Sequence, residues 1–390
     1  MFRLYTNIED GNIHVITTLL SDDIDAELEY AFYLIIGGCR ESVSWYDLDN
    51  QRSFSGNWPV SLSVEIKLFV RLSNSKEIIY TSLYSARPGL RASYSNSRYL
   101  TKKSYSSLES FISTLSLVES NSEVLSQITI SNSLTLDVLQ KTTSDNSKFT
   151  LFCFSGAVPQ RDNKTAPFFS GVKLSKTLSL PLIAIDDPVV AHNLSCRLGW
   201  YLGNDPTLDL HQKIAALIDG LANNSGTTPI LLGGSGGGFA ALSIARHMTT
   251  SSMIFAINPQ VDLSTYAQIE VNEFLNHSVL ATENASIINS GFNYKITPEQ
   301  LAKHDILYLQ NSSDAFHVRT QMKKFIESMG KSVNKNIISF NSGRGTIYIG
   351  DWGNGHVAAP SDMINFAILK YLEGRQTFEI ARLLDEKRYY

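Results

Sequence analysis

The stretch that decides the fold is Thr228-Pro-Ile-Leu-Leu-Gly-Gly-Ser-Gly-Gly-Gly-Phe-Ala-Ala-Leu242. In it an apolar run leads into Gly233-Gly-Ser-Gly-Gly237, which fits the pattern G-x-S-x-G, and a helix-forming stretch follows. Such a strand-turn-helix needs small residues around the serine, because the sharp turn strains the backbone and brings neighbouring chain close. The turn lifts the hydroxyl above the sheet, beside the free N–H groups of a helix N-terminus. We therefore predict that Ser235 is a nucleophile and that Gly236 N–H is an oxyanion donor.

Two other glycine-rich loops fit this stretch less well. A phosphate-binding loop of the Walker type needs Lys and then Ser or Thr after its last glycine, whereas Phe239-Ala240 stands here. A dinucleotide-binding turn is approximated by three glycines, but their spacing is not G-x-G-x-x-G and no acidic partner ends the next strand. The nucleophile turn is the favoured interpretation.

A serine nucleophile needs a base, and histidine suits that role at neutral pH. In a strand-turn-helix of this kind the base follows the serine in the chain, on a loop after the last strand. His356 lies in Gly350-Asp-Trp-Gly-Asn-Gly-His-Val357, after an apparent strand at 346–349 and before a helix near Pro360. We predict His356 as the base, with His317 in reserve. The other histidines precede the serine, follow it on its own helix or lack such a loop: His14, His192, His211, His247, His277 and His304.

The acid of the triad is expected between the serine and the histidine, at the end of a strand. Asp314 follows an apolar run at 305–309 and a polar turn, and it is the favoured acid. Asp262, which follows the preceding strand, is the alternative acid, and either aspartate can instead cap a turn. A second oxyanion donor is predicted from the N–H of Gly156 or Ala157, after the run Phe152-Cys-Phe.

The remaining pattern predicts two domains. After residue 148, short apolar runs alternate with helical periods, which is typical of a mostly parallel sheet flanked by helices. Residues 31–82 alternate with the period of strands and predict a smaller N-terminal all-β sandwich. We assign residues 1–95 to this accessory domain and 148–390 to an α/β catalytic domain. The serine-rich residues 96–147 between them are assigned in part to a linker and in part to the first strands of the catalytic domain.

Aromatic side chains are frequent in the N-terminal region. They either fill the sandwich core, which is the favoured interpretation, or form a platform for carbohydrate. The set comprises Tyr33, Trp45, Tyr46, Phe54, Trp58, Phe69 and Tyr80.

Composition limits the class of partner. A formal net charge of −4 gives no global attraction for nucleic acid, which we exclude as a partner. The three cysteines Cys39, Cys153 and Cys196 form no CxxC pair, so we expect core thiols and neither a disulfide framework nor a metal site. No apolar run reaches the length of a membrane span and no leader pattern stands at the N-terminus, so we expect a cytoplasmic protein.

With these residues in place, the chain from about residue 148 resembles the α/β-hydrolase superfamily. Phe154-Ser-Gly-Ala157, the glycine-rich turn at Ser235, Ile257-Asn-Pro-Gln260 and Gly353-Asn-Gly-His356 together resemble bacterial capsule and surface-polysaccharide proteins. Some of these are sugar O-acetyltransferases, and others are accessory components of glycoprotein export.

The resemblance implies a serine acyltransferase or esterase that acts on O-acyl groups of a carbohydrate through an acyl-Ser235 intermediate. No cofactor would be bound, and acetyl-CoA would be the co-substrate of a transferase. The alternative function is a non-catalytic accessory protein that binds glycan or a protein partner on the same scaffold. A peptidase or thioesterase would use the same triad.

Overall fold

The computed structural model describes residues 2–9, 12–19, 26–36, 39–55, 64–85, 101–114, 123–131, 134–142, 147–159, 164, 166–193, 196–278 and 286–386. The chain divides into two compact units, Met1–Arg98 and Tyr99–Tyr390. The domain boundary predicted at residue 95 falls within 86–100, outside the described residues.

The smaller unit contains two antiparallel sheets. Its strands are β1 (Phe2–Glu9), β2 (Asn12–Leu19), β3 (Leu28–Ile36), β4 (Cys39–Asp47), β5 (Gln51–Ser55), β6 (Val64–Leu72) and β7 (Ile78–Ser85). One sheet has the order β1-β2-β5 and the other β4-β3-β6-β7. Alternate side chains of both sheets form one buried cluster that includes Ile13, Phe32 and Leu68. This two-sheet packing is the expected sandwich, and its first two strands lie before residues 31–82, where the sequence pattern predicts strands.

The aromatic side chains of this unit lie only partly in its core. Phe54 is buried in the core cluster and Tyr80 packs against it. Tyr33 contacts Phe69 and Trp45, with ring centroids 4.8 and 6.1 Å apart, and Trp45 is 67% exposed. Core filling therefore explains only part of the set, and Trp58 lies outside the described residues.

The larger unit is built on one ten-stranded sheet. Its strands are β8 (Thr101–Tyr105), β9 (Glu123–Ser131), β10 (Leu134–Lys141), β11 (Phe149–Phe154), β12 (Leu182–Ile185), β13 (Thr228–Gly234), β14 (Met253–Ile257), β15 (Asp305–Asn311), β16 (Ile337–Phe340) and β17 (Gly345–Gly350). Their order is β16-β17-β15-β14-β13-β11-β12-β10-β9-β8. The strands from β12 through β11, β13, β14 and β15 to β17 pair in parallel, while β10 and β16 pair antiparallel to their neighbours.

Helices cover both faces of this sheet. They are α1 (Leu108–Thr114), α2 (Val172–Leu178), α3 (Pro188–His192), α4 (Leu210–Ser225), α5 (Gly236–Ala245), α6 (Gln268–Asn276), α7 (Ala315–His317), α8 (Lys323–Ser328), α9 (Ser361–Leu372) and α10 (Thr377–Asp385). One buried cluster includes Ile214 of α4 and Phe239 of α5, and the other includes Ile368 of α9 and Ile380 of α10. The strands between them are apolar on both sides, as a sheet covered on both faces requires. The predicted α/β architecture is confirmed.

The serine-rich stretch 96–147 contains the first strands of this sheet. Strands β8, β9 and β10 and helix α1 all lie within residues 96–147. Serine is compatible with a buried strand here because its hydroxyl finds a partner: fully buried Ser126 donates to Gln140 Oε1 at 3.2 Å. Among the described residues, no helix is long and apolar enough to cross a bilayer.

Candidate active site

Ser235 occupies a strained turn between β13 and α5. Its backbone has φ 54° and ψ −119°, a conformation that residues other than glycine rarely adopt. Its N–H donates to the carbonyl of Ile257 at 2.8 Å, which anchors the turn to the neighbouring strand β14. The side chain thus stands at the carboxyl edge of the parallel strands, which is where sheets of this class place their sites.

The glycines of this turn are required by close packing. A Cβ added to Gly233 would lie 2.1 Å from the carbonyl oxygen of Gly237, and one added to Gly237 would lie 2.3 Å from the carbonyl oxygen of Phe154. Both obstacles are backbone atoms, which cannot rotate away as a side chain can. The sequence expectation that only small residues fit here thus has a direct steric cause.

Asp314 and His356 form a close pair after the neighbouring strands β15 and β17. His356 Nδ1 donates to Asp314 Oδ2 at 2.6 Å, the short distance typical of a charge-assisted hydrogen bond. Burial raises the pKa of Asp314, but hydrogen bonds from His356 and His317 outweigh it, so the pKa lies below its ordinary value. The carboxylate is therefore ionised at neutral pH and accepts hydrogen bonds from both rings. The side chain of His356 is 40% exposed, and its Nε2 has no hydrogen-bond partner among the described residues.

A second histidine shares the same carboxylate. His317 Nδ1 lies 3.0 Å from Asp314 Oδ2, and its ring stacks on that of His356 with centroids 4.1 Å apart and planes 11° apart. His317 is 3% exposed, and burial lowers its pKa to about 4, with the nearby His356 adding to the effect. It is therefore neutral at physiological pH. Because both Nδ1 atoms face Asp314 and the rings are parallel, both Nε2 atoms point away from the carboxylate.

Gln260 connects Ser235 to this histidine pair. Its Nε2 donates to Ser235 Oγ at 2.8 Å and lies 3.0 Å from His317 Nε2. Its Oε1 accepts from the indole N–H of Trp200 at 3.2 Å. In the described part of the chain no hydrogen bond joins Ser235 directly to His356. Serine, amide, imidazole, carboxylate and second imidazole thus form one continuous network.

The predicted oxyanion loop lies beside the serine. A Cβ added to Gly156 would be 3.7 Å from Ser235 Cβ, so this backbone approaches the nucleophile closely. Tyr201 holds the loop, because its hydroxyl accepts from Ser155 N–H at 2.7 Å and donates to Ile185 carbonyl at 2.8 Å. The N–H groups of Gly156, Ala157 and Gly236, the predicted oxyanion donors, have no acceptor among the described residues.

The alternative acid has a different role in the structure. Asp262 begins a short turn and accepts from Ser264 N–H at 3.1 Å and Ser264 Oγ at 2.5 Å. Its second oxygen lies 3.8 Å from Lys295 Nζ. Within the described residues it contacts no histidine. Of the two candidates, only Asp314 pairs with the predicted base.

Three nearby side chains have the donor types of a metal site. Asp314, His317 and His356 each place one potential ligand atom within 4.8 Å of the others. A metal bound at Nδ1 needs a bare lone pair there, whereas both Nδ1 atoms here face an ionised carboxylate that only accepts. The arrangement is better explained as two hydrogen bonds to one acceptor.

Gln260, Trp200 and Tyr201 are functional candidates that the sequence reasoning missed. In the sequence, Gln260 stands out only as part of the motif Ile257-Asn-Pro-Gln260 after β14. The signal that could have indicated it is a polar residue at the carboxyl end of a strand adjacent to Ser235. Trp200 and Tyr201 have φ of 52° and 59°. No residue pattern predicts two consecutive aromatic residues in the left-handed region.

Comparisons with known proteins give fold similarities at low identity. No family model matches the sequence, and no curated protein matches it. A solved Glycosylation Associate Protein (Gap123) complex from Streptococcus agalactiae is 13% identical, covers 96% of this chain and 72% of that chain, and has a TM-score of 0.41. An acylaminoacyl peptidase from Pyrococcus horikoshii is 11% identical over 96% of this chain and 57% of that chain, with a TM-score of 0.44.

A third solved structure is LpqC, a poly(3-hydroxybutyrate) depolymerase from Bordetella parapertussis. It is 11% identical, covers 64% of this chain and 88% of that chain, and has a TM-score of 0.36. At such identities these structures assign no substrate to this chain.

Proposed function

We propose that this protein is a serine acyltransferase or esterase that acts through an acyl-Ser235 intermediate. The observation that carries the proposal is the combination of a strained, glycine-packed turn at Ser235 with the His356–Asp314 pair at 2.6 Å on the same edge of the sheet. Strain of this kind persists only where surrounding structure enforces it and is concentrated at active sites.

The chemistry assigns one step to each group. Ser235 Oγ attacks the acyl carbon while its proton passes to His356 Nε2, and Asp314 stabilises the imidazolium. The N–H groups of Gly236 and of Gly156 or Ala157 bind the oxyanion. The imidazolium then gives its proton to the leaving alcohol or thiol. In the second half of the reaction, His356 takes a proton from an acceptor hydroxyl or water, and that acceptor takes the acyl group from Ser235.

The acceptor decides whether the enzyme is a transferase or a hydrolase. A sugar hydroxyl would give O-acetyl transfer and water would give ester hydrolysis, and both use the same acyl-enzyme. We favour an acyl-carbohydrate substrate because of the resemblance to surface-polysaccharide proteins, with acetyl-CoA as donor in the transferase case. The discriminating assay measures acetyl-CoA turnover with and without acceptor glycan: acetate release without glycan indicates hydrolysis, and acceptor-dependent turnover indicates transfer.

A fluorophosphonate probe, which labels activated serines, tests the proposal directly. We expect labelling of the wild-type chain, none of Ser235→Ala, and at least about a thousandfold slower labelling of His356→Ala, because removing one triad member removes most of the rate. Ser313→Ala is the control and should be labelled normally, since that side chain makes one exposed hydrogen bond. A wild-type chain that resists the probe while remaining folded would contradict the proposal.

The two aspartates give an internal comparison in the same assay. Asp314→Asn should slow labelling strongly, because the amide cannot stabilise the imidazolium of His356. Asp262→Asn should leave the rate within about twofold, because that carboxylate caps a turn. The reverse result would assign the acid to Asp262.

The alternative function, binding of glycan or a partner without chemistry, is favoured by one observation. Ser235 Oγ accepts a hydrogen bond from Gln260 and makes none to His356. A chain that binds glycan but resists the probe would support this alternative.

A further inference from the structure

Gln260 is held in one orientation by its neighbours. An indole N–H can only donate, so the atom of Gln260 that faces Trp200 Nε1 at 3.2 Å must be the oxygen. The nitrogen therefore faces both Ser235 Oγ at 2.8 Å and His317 Nε2 at 3.0 Å. Trp200 and Gln260 are both fully buried, so water does not compete for these bonds.

This orientation determines where the protons of the network lie. Because Gln260 Nε2 donates, His317 Nε2 must accept and carries no proton. A neutral imidazole then has its proton on Nδ1, where Asp314 accepts it at 3.0 Å. The hydrogen bond that the indole of Trp200 donates to Gln260 thus determines the direction of every later bond, from Gln260 through His317 to the carboxylate of Asp314.

We propose that Gln260 is a further catalytic residue of this site. It fixes the direction of the hydrogen bond at the hydroxyl of Ser235, and it fixes the tautomer of His317. This inference rests on the proposed function. Toward Ser235 the amide only donates, so the hydroxyl proton cannot be given to Gln260 and stays available for His356. When the acyl group leaves, the same N–H stabilises the negative charge that returns to Oγ. His317 is a positioning residue, because its fixed tautomer holds the carboxylate of Asp314.

Gln260→Glu tests this with the least change of shape. An ionised carboxylate only accepts, so it would take a hydrogen bond from the hydroxyl of Ser235 and require a proton on His317 Nε2. Nitrogen-15 NMR of the full chain reports which imidazole nitrogen is protonated. We expect a proton on Nδ1 alone of His317 in the wild type, and a protonated Nε2 in Gln260→Glu.

Kinetics provide the second measurement. We expect Gln260→Glu to slow fluorophosphonate labelling of Ser235 by about 10- to 100-fold, the range for losing one hydrogen bond to a charged group. The matched control is Gln140→Glu, a buried glutamine of β10 whose oxygen accepts from Ser126 Oγ at 3.2 Å. A carboxylate can keep this bond, so the tautomer of His317 should be unchanged and the labelling rate within about twofold of wild type.

The outcomes separate this inference from the proposed function. A wild-type His317 with its proton on Nε2, or Gln260→Glu with Nε2 still bare, would overturn the orientation of Gln260 even if labelling is normal. A changed tautomer with unchanged labelling would overturn its catalytic role. Correct tautomers in a wild-type chain that the probe does not label would overturn the proposed function, and the catalytic role with it.

Discussion

At the scale of single residues, the glycines around Ser235 are not equivalent. A Cβ on Gly233 would meet the backbone of Gly237 at 2.1 Å, but a Cβ on Gly234 would meet only the Ile257 carbonyl at 3.8 Å, an ordinary contact. Gly233→Ala should therefore lower the free energy of unfolding by about 1–3 kcal/mol or more, the cost of overpacking. Gly234→Ala should change it by less than about 0.5 kcal/mol.

Denaturant unfolding of both variants measures this difference, and Gly234→Ala is the control for Gly233→Ala. Equal losses of stability would show that the turn does not have the tight packing described. The same test separates a nucleophile turn from a flexible glycine loop, in which both alanines would be tolerated.

Residue identity alone predicts some parts of this site better than others. Ser235 lies in a local pattern whose strain and packing depend on residues next to it in sequence, so the pattern suffices to find it. Gln260 depends on Trp200, 60 positions away, and on His317, 57 positions away. No spacing rule encodes such contacts. The preference for Asp314 over Asp262 likewise depends on contacts between distant residues, because both aspartates follow apolar strands.

At the scale of elements, the loop that carries His356 is tied to two strand ends. Asn311, the last residue of β15, donates from Nδ2 to the carbonyls of Gly353 and Gly355, both at 2.8 Å. Asn258, just after β14, donates to Val357 carbonyl at 2.8 Å. These bonds fix the position of an irregular segment relative to the sheet, and the proposed role of His356 as a base requires such a fixed position.

Asn311→Ala should therefore impair the site without removing any member of the triad. Two loop carbonyls would lose their partner, and His356 would move relative to Ser235. We expect probe labelling about 10- to 100-fold slower, because displacements near 1 Å have effects of that size. Ser313→Ala, two residues further along, is the control, and labelling of Asn311→Ala at the wild-type rate would exclude this anchoring.

Strands buried on both faces were the elements most accessible to sequence reasoning. The expected run Phe152-Cys-Phe lies within β11, and the run at 305–309 lies within β15. The edge strands β8 and β16 were not recognised. An edge strand has one paired side and a shorter apolar pattern, as in β16 with four residues, so composition alone distinguishes it poorly from a loop.

At the scale of the whole molecule, the site depends on the order of the sheet. Ser235, Asp314 and His356 follow β13, β15 and β17, and Gln260 follows β14, which lies between β13 and β15. Parallel strands bring their carboxyl ends to one edge, so residues separated by more than a hundred positions meet there. Sequence predicts the parallel character of the sheet, but the strand order that selects these neighbours is a property of the complete fold.

The larger unit should also lose stability in acid, because it buries neutral histidines that are not part of the proposed triad. Burial lowers the pKa of His211 to about 3 and that of His304 to about 4. His211 Nε2 donates to Trp200 carbonyl at 2.9 Å, so its Nδ1 is the bare nitrogen that accepts from Ser243 Oγ at 2.9 Å. Protonating Nδ1 would break this bond and place a charge in the core.

Both folded-state pKa values lie below the ordinary value near 6.5, so their stabilising contribution is complete above that pH and is lost as pH falls towards 3–4. Each histidine should lower the free energy of unfolding by about 1.4 kcal/mol per pH unit in that window. Denaturant unfolding between about pH 7 and pH 5 measures the slope, with Glu373→Gln, an exposed residue, as control. His211→Gln has no proton to gain and should give a shallower slope, and a slope identical to that of the wild type would show that His211 is not buried neutral.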